Sequence, residues 1–339
     1  MEVIRPQRLE LGDTIGVVSP SSPVASICPR RFQRGITHLQ SMGFEVIVGN
    51  RALTRTGHTA GSIQERVEDL HQMYANPNVK AIISTIGGYN SNQLLDQLDY
   101  KLICDNPKIL MGYSDITTLL IGIHTITGQV TFLGPAILPQ FGEFGGLMSY
   151  TRDSFERVVM QSKPIGDIHP SKHWTEEFLS WDINDDRIRE RKPNSGLKVL
   201  KSGVAKGPIL AGNIGTMLLL SGTPYFPKFQ GVILCLEDDE DESPATIDRY
   251  LTQMRQIGIY DQIAGLIIGR FNSKVGFTET DSLESILEIV TRGYDFPIVY
   301  DADFGHTDPM MVLPNGIQAI LDASDCNRPQ LTILEPAVL

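Results

Sequence analysis

The 339-residue chain carries a net charge of −11 at pH 7, with 41% hydrophobic and 20% charged residues. This length exceeds what one ordinary hydrophobic core needs, so we expect two domains. The negative charge argues against nucleic acid as a partner, and no apolar stretch suits a signal peptide or a membrane span. The four cysteines are scattered without a CxxC pair, which is typical of reduced thiols. We therefore expect a cytoplasmic protein with no membrane partner.

Strands and helices alternate through the first half of the chain. This alternation predicts right-handed βαβ units and a doubly wound parallel sheet in an N-terminal α/β domain, residues 1–165. Ligands of such sheets bind beyond the carboxyl ends of the strands. The predicted strands are 13–20, 44–48, 79–84 and 107–110, and the predicted helices are 31–42, 62–74 and 94–98.

A serine lies where the fourth of these strands meets a helix. The apolar run 107–110 follows a proline, and the helical pattern begins at Thr117, which places Ser114 on the turn. Gly112 removes the Cβ that would crowd a sharp turn, and the amide of Asp115 is an unpaired donor at the start of the helix. This is the pattern of a nucleophile elbow, although Ile116 stands where hydrolases usually have a second glycine. The spacing alone also fits Ser114 as a helix N-cap.

The second half of the chain differs from the first in composition and in the order of its predicted elements. Residues 166–196 form a long polar connection that contains both tryptophans, Trp174 and Trp181, and such a connection is either a functional loop or one pinned to the surface by its aromatic side chains. Residues 197–339 mix strands and helices, so we expect a smaller C-terminal α+β, barrel-like domain. Its predicted strands are 203–210, 231–236, 264–269 and 297–300, and its predicted helices are 213–220, 246–257 and 282–291.

A nucleophilic serine needs a histidine base that is oriented by a carboxylate. His306 lies in a glycine-containing loop after a strand, and Glu237 is the first charged residue after the apolar run 232–236. The acidic residues 238–242 that follow do not have EF-hand spacing, so we interpret them as a solvated loop and expect no metal. A Gly87–Gly88 turn leaves a third strand at the same predicted edge and could direct a backbone amide toward a ligand.

Five motifs in this order resemble the LD-carboxypeptidase family of serine peptidases, and more narrowly its branch of microcin C immunity proteins. The motifs are residues 12–23, 87–92, 111–115, 236–238 and 304–306. The resemblance implies a triad of Ser114 as nucleophile, His306 as general base and then acid, and Glu237 as its orienting carboxylate. It also implies an oxyanion hole formed by the amides of Gly88 and Asp115.

The resemblance leaves two substrates open. LD-carboxypeptidases release D-alanine from a murein tetrapeptide, whereas the immunity branch cuts the carboxamide between an aminoacyl group and a modified nucleotide. Members of the immunity branch carry a tryptophan on a longer inter-domain loop that stacks on the adenine, which favours Trp181 here, with Trp174 second. The side chains of Asn90, Ser91 and Asn92 would bind the aminoacyl part. The family needs no cofactor and suggests a homodimer.

A protein of another class, one that binds nucleotide-like ligands without turnover, also remains open. For a catalytic His306, the usual histidine pKa predicts that activity falls as pH drops through about 6.5.

Overall fold

A computed structural model describes residues 2–339. The strands are β1 (Thr14–Val18), β2 (Glu45–Val48), β3 (Val79–Ser84), β4 (Ile109–Gly112), β5 (Phe132–Leu133), β6 (Gly166–Ile168), β7 (His173–Trp174), β8 (Lys192–Pro193), β9 (Lys198–Lys201), β10 (Val204–Asn213), β11 (Ile233–Glu237), β12 (Gly265–Gly269), β13 (Ile298–Ala302), β14 (Leu313–Pro314), β15 (Gln318–Asp322) and β16 (Gln330–Ile333).

The helices are α1 (Val24–Ile27), α2 (Pro29–Ser41), α3 (Ile63–Ala75), α4 (Tyr100–Asp105), α5 (Thr117–Thr127), α6 (Ser149–Val159), α7 (Ile214–Leu218), α8 (Pro244–Gln256) and α9 (Leu283–Val290). Short 3₁₀ helices cover Ser91–Gln97, Ser114–Ile116 and Ser273–Val275, and a π-helical turn covers Ile137–Phe141. Within residues 2–339, no helix has the length and apolar character needed to cross a bilayer.

The first sheet has the strand order β14-β5-β4-β3-β1-β2, and its strands β1 to β5 are parallel. This confirms the predicted doubly wound parallel sheet. Residues 94–98, predicted as an α-helix, instead belong largely to the 3₁₀ helix Ser91–Gln97. The edge strand β14 comes from the far end of the chain and pairs antiparallel with β5.

The second sheet has the order β6-β16-β15-β10-β11-β12-β13-β9, with parallel pairing from β10 to β13 and antiparallel pairing at both flanks. Its edge strand β6 belongs to the inter-domain connection. Each sheet therefore has an edge strand from outside its own domain: β14 of the C-terminal domain joins the first sheet, and β6 of the connection joins the second. Buried apolar side chains of both domains form one continuous cluster, which fixes the two sets of strand ends relative to each other.

Candidate active site

Ser114 occupies a strained turn between β4 and α5. Its φ is +60°, a left-handed conformation that costs energy in any residue with a side chain. The backbone passes so close to its neighbours that a Cβ on Gly112 would lie 2.5 Å from Ser84 Oγ and 2.9 Å from Ile116 Cγ2. The predicted strand–turn–helix geometry is present, and close packing explains the glycine two residues before the serine.

Glu237 and His306 form a buried pair at the carboxyl end of the second sheet. Glu237 ends β11 and is 1% exposed, and its Oε2 lies 2.6 Å from His306 Nδ1. Gly305 makes this approach possible, because a Cβ there would lie 2.7 Å from the Cβ of Glu237 and its φ is +105°. The other oxygen of Glu237, Oε1, is buried without a hydrogen-bond partner in residues 2–339. His306 is therefore the close partner of this carboxylate.

This pairing changes the proton affinity of His306. Burial lowers the pKa of the imidazole, but the charge of Glu237 and its hydrogen bond outweigh burial and raise that pKa from 6.5 to about 9. The sequence-based expectation of a transition near 6.5 is therefore wrong for this environment, since it took the pKa of a free histidine.

A chain of hydrogen bonds links the serine turn to the strand that carries Glu237. Thr117 Oγ1 on α5 accepts the backbone N–H of Asn213 at 2.9 Å, and Asn213 Nδ2 donates to Asp238 Oδ1 at 2.7 Å. Asp238 directly follows Glu237. Burial first, and then the charge of Glu237, raise the pKa of Asp238 to about 7. The two domains thus hold Ser114 and Glu237 in register through buried polar contacts.

The glycine turn after β3 lies against the serine. A Cβ on Gly87 would lie 2.9 Å from Ser114 Oγ and 3.1 Å from the amide nitrogen of Asp115. Gly88 has a φ of +148°, which only glycine adopts readily. Within residues 2–339, the amides of Gly88 and Asp115 donate to no backbone carbonyl. Both N–H groups are therefore free to donate to a ligand at this turn, as an oxyanion hole would require.

The structure places none of the three predicted aminoacyl contacts, Asn90, Ser91 and Asn92, on the wall of the cavity beside Ser114. Ser91 is fully buried and its hydroxyl donates to the carbonyl of Asp115, while Asp115 Oδ2 accepts the backbone N–H of Ser91 at 2.8 Å. Asn90 and Asn92 lie outside the lining of the cavity beside Ser114. The cause is the 3₁₀ helix Ser91–Gln97, which turns this segment away after the glycines. Ser91 instead braces the elbow.

A cavity of about 330 Å³ opens beside Ser114 and His306, and Trp181 forms part of its wall. One face of the indole is covered by the guanidinium of Arg31, 4.6 Å from the ring centroid. The backbone at Trp181 is fixed because Asp182 accepts the N–H groups of Arg30 and Arg31, both at 2.8 Å, at the start of α2. The predicted tryptophan therefore reaches the site.

Trp174 does not line this cavity, and its role as a second stacking residue stays a prediction that this position does not favour. Its ring contacts two cations, Arg270 at 4.9 Å and Lys192 at 5.1 Å. There it pins the connection to the C-terminal domain, which was the structural alternative for these tryptophans.

The sequence interpretation missed the charged network that holds the cavity wall. Arg189 binds Glu143 at 2.9 Å and Asp308 at 2.7 Å, and Arg31 binds Glu143 at 2.8 Å and Asp185 at 3.0 Å. Asp308 lies two residues after His306, so the network links the tryptophan segment to the histidine loop. Its directly bonded pairs are up to 154 residues apart, and no local pattern marks them.

Tyr113 was also missed, although it lies inside a recognised motif. Its ring packs edge-on against His306 at 5.0 Å, and its hydroxyl accepts from Gln140 at 3.2 Å. Its position next to Ser114 was the signal that could have identified it.

Comparison with known proteins gives a consistent result. A model of the LD-carboxypeptidase N-terminal domain matches residues 15–134, and one of the LD-carboxypeptidase C-terminal domain matches residues 206–321. The chain is 34% identical to the microcin C7 self-immunity protein MccF of Escherichia coli, over 94% of this chain and 93% of that protein. It is 30% identical to a probable murein peptide carboxypeptidase of Bacillus subtilis, over 95% and 92%.

Solved structures extend the similarity over nearly the whole chain. An MccF-like protein from Bacillus anthracis superposes with a TM-score of 0.92 at 36% identity, covering 98% of this chain and all of that one. MccF in complex with aspartyl sulfamoyl adenosine superposes with a TM-score of 0.90 at 32% identity, covering 99% and 100%. MccF in complex with glutamyl sulfamoyl guanosine gives 0.90 at 31% identity, covering 99% of each chain. The chain therefore belongs to the LD-carboxypeptidase family of serine peptidases.

Proposed function

We propose that this protein is a serine hydrolase that cleaves the amide between an aminoacyl group and a modified nucleotide. The observation that carries the proposal is the composition of one cavity: the strained Ser114 and the Glu237-paired His306 line or adjoin it, and Trp181 forms part of its wall. The complexes of MccF with aminoacyl sulfamoyl nucleosides support this choice of substrate. Detoxification of microcin C-type antibiotics is the corresponding biological role.

The chemistry follows from the positions of the groups. Ser114 Oγ attacks the acyl carbonyl and its proton passes to Nε2 of His306, while Glu237 on Nδ1 stabilises the imidazolium. The amides of Gly88 and Asp115 bind the oxyanion of the tetrahedral intermediate. His306 then gives its proton to the leaving nitrogen, and an acyl-enzyme forms. Water attacks the ester with His306 as base, and the free amino acid is released.

Trp181 supplies recognition of the leaving group. Its indole stacks on the purine with the face not covered by Arg31, a contact worth about 1–3 kcal/mol per base by alanine substitution. Arg31 keeps the ring in a fixed orientation, so little entropy is lost when the base binds.

The second candidate is release of D-alanine from murein tetrapeptide, supported by the B. subtilis relative named a probable murein peptide carboxypeptidase. One experiment separates the candidates: wild type and Ser114→Ala are each incubated with alanyl-sulfamoyl adenosine and with murein tetrapeptide, and products are identified by mass. The proposal is supported if wild type releases free alanine from the nucleoside but no D-alanine from the peptide, and if Ser114→Ala releases neither.

D-alanine from the peptide alone supports the second candidate and reduces the tryptophan segment to scaffolding. Tight nucleoside binding without turnover, unchanged in Ser114→Ala, would make this a binding protein. The suggested homodimer stays a prediction, which light scattering on the purified protein tests.

A further inference from the structure

The cavity beside Ser114 has an unbalanced set of charges. Each of its three arginines already has a carboxylate partner, which leaves these cations little capacity to attract an anionic group. The pairs are Arg31 with Glu143 and Asp185, Arg187 with Glu177, and Arg189 with Glu143 and Asp308.

Two further carboxylates line the cavity without such compensation. Asp239 and Glu240 follow β11, the strand that carries Glu237, and are partly exposed. Within residues 2–339, Asp239 forms no salt bridge, and Glu240 has only Lys274, whose Nζ lies 4.0 Å away and whose side chain is 58% exposed. A contact this long and this exposed contributes little. The two carboxylates therefore leave this part of the wall negative.

Asp239 and Glu240 lie two and three residues after Glu237, whose Oε2 is 2.6 Å from His306 Nδ1, so this negative charge belongs to the end of the cavity that holds His306. Burial and other neighbouring groups have the larger influence on the pKa of His306 and of Tyr89, which follows Gly88, and the charge of Asp239 adds to the raised pKa of both. Glu240 contributes in the same way to the raised pKa of Tyr113, which precedes Ser114. The arginines are gathered around Trp181 and the connection instead. The cavity thus has an acidic catalytic end and an arginine–tryptophan end.

This polarity matches one orientation of an aminoacyl nucleotide. The base lies at the tryptophan end, so the aminoacyl group lies at the catalytic end, where its α-ammonium is attached to the carbon beside the scissile carbonyl. A basic side chain there meets two uncompensated carboxylates. An acidic side chain, such as the aspartyl and glutamyl groups of the MccF ligands, meets repulsion.

The next inference rests on the proposed function. We propose that Asp239 and Glu240 determine specificity, so that the enzyme prefers aminoacyl nucleotides with a basic side chain over those with an acidic one. The preferred substrate class is then the lysyl or arginyl nucleotide.

The test measures kcat/KM for lysyl-, alanyl- and aspartyl-sulfamoyl adenosine with wild type and with Asp239→Asn/Glu240→Gln. We expect wild type to favour lysyl over aspartyl by at least about tenfold, and the double variant to lower that ratio by about tenfold. The matched control is Asp248→Asn/Glu288→Gln, which removes the same two charges from exposed helix positions outside the cavity. The control should keep the wild-type ratio.

The alanyl substrate separates this inference from the function beneath it. If wild type turns over the alanyl substrate but has equal kcat/KM values for the lysyl and aspartyl substrates, the specificity inference is overturned and the proposed function stands. The same holds if the double variant keeps the wild-type ratio of lysyl to aspartyl kcat/KM. The same drop in both double variants also overturns it, because net charge would then be the cause. No turnover of any nucleoside by wild type overturns both.

Discussion

The proposed catalytic centre and the inter-domain connection reach the same cavity by different physical means. Ser114, Glu237 and His306 lie at or just beyond strand ends, and glycines that allow close backbone approach set their geometry. Trp181 lies on a segment with little regular structure, and ion pairs and a helix cap hold it. A reacting group must be placed within fractions of an ångström, and strand ends supply that precision. A stacking surface tolerates more movement, so a loop held by side chains suffices.

The largest effect is expected at the catalytic centre. Glu237→Gln keeps the shape of the side chain and removes the charge that orients His306 and stabilises its imidazolium. We expect kcat for the nucleoside substrate to fall by about 10³–10⁴-fold with little change in KM. Steady-state kinetics measures this.

Asp238→Asn is the matched control for that variant. Asp238 is the neighbouring buried carboxylate, but it binds Asn213 and not His306. A loss of less than about tenfold is expected. Equal losses in the two variants would show that buried negative charge in general, and not the pairing with His306, supports the reaction.

Substitutions in the inter-domain connection should lower the free energy of unfolding. Arg189→Gln leaves Asp308 without its buried cation, while Glu143 keeps Arg31, so we expect unfolding to become easier by about 3 kcal/mol. Arg187→Gln removes a cation from the same segment, but its pair with Glu177 is exposed, and less than about 1 kcal/mol is expected. Urea unfolding of both variants measures the difference. Equal effects would mean that the buried network does not fasten the connection.

The pH profile tests the pairing of His306 without mutation. Because the base must be neutral and its pKa is raised to about 9, kcat/KM should rise about tenfold per pH unit from neutrality and level off above pH 9. The same shift stabilises the folded protein fully below about pH 6.5, the pKa of an unfolded histidine, and this stabilisation is lost as pH rises through about 9. Activity and stability should therefore change in opposite directions. A plateau already reached at pH 7 would contradict this prediction.

The same contrast explains what the sequence could predict. Alternating strands and helices identified the parallel sheet, and the positions of Ser114, Glu237 and His306 at or beyond strand ends could be predicted because a buried strand followed by a polar residue is a local pattern. The sequence analysis predicts neither β15 nor β16, although β16 alternates polar and apolar residues with the period of two that a half-exposed strand shows.

The charged part of the cavity wall could not be predicted, because it depends on contacts between distant residues. Arg31 lies on an ordinary amphipathic helix, and only folding brings it to Asp185, 154 residues later. Nothing local distinguishes Trp181 from Trp174, seven residues earlier. Asn90 and Asn92 follow β3, as predicted, but the 3₁₀ helix Ser91–Gln97, which no sequence pattern indicates, keeps them off the cavity wall.

The smallest effect separates the two tryptophans. Trp181→Ala should raise KM for the nucleoside substrate about tenfold with kcat nearly unchanged, because stacking on the leaving group is lost while the reacting groups stay in place. Trp174→Ala removes the same side chain outside the cavity and should leave KM within about twofold of wild type. Steady-state kinetics with the alanyl nucleoside measures both. If Trp174→Ala raises KM as much as Trp181→Ala, both tryptophans act by fastening the connection, and the base must bind elsewhere. If instead kcat falls with Trp181→Ala, the arginine–tryptophan stack also positions the catalytic centre, and the division between a precise centre and a tolerant wall does not hold.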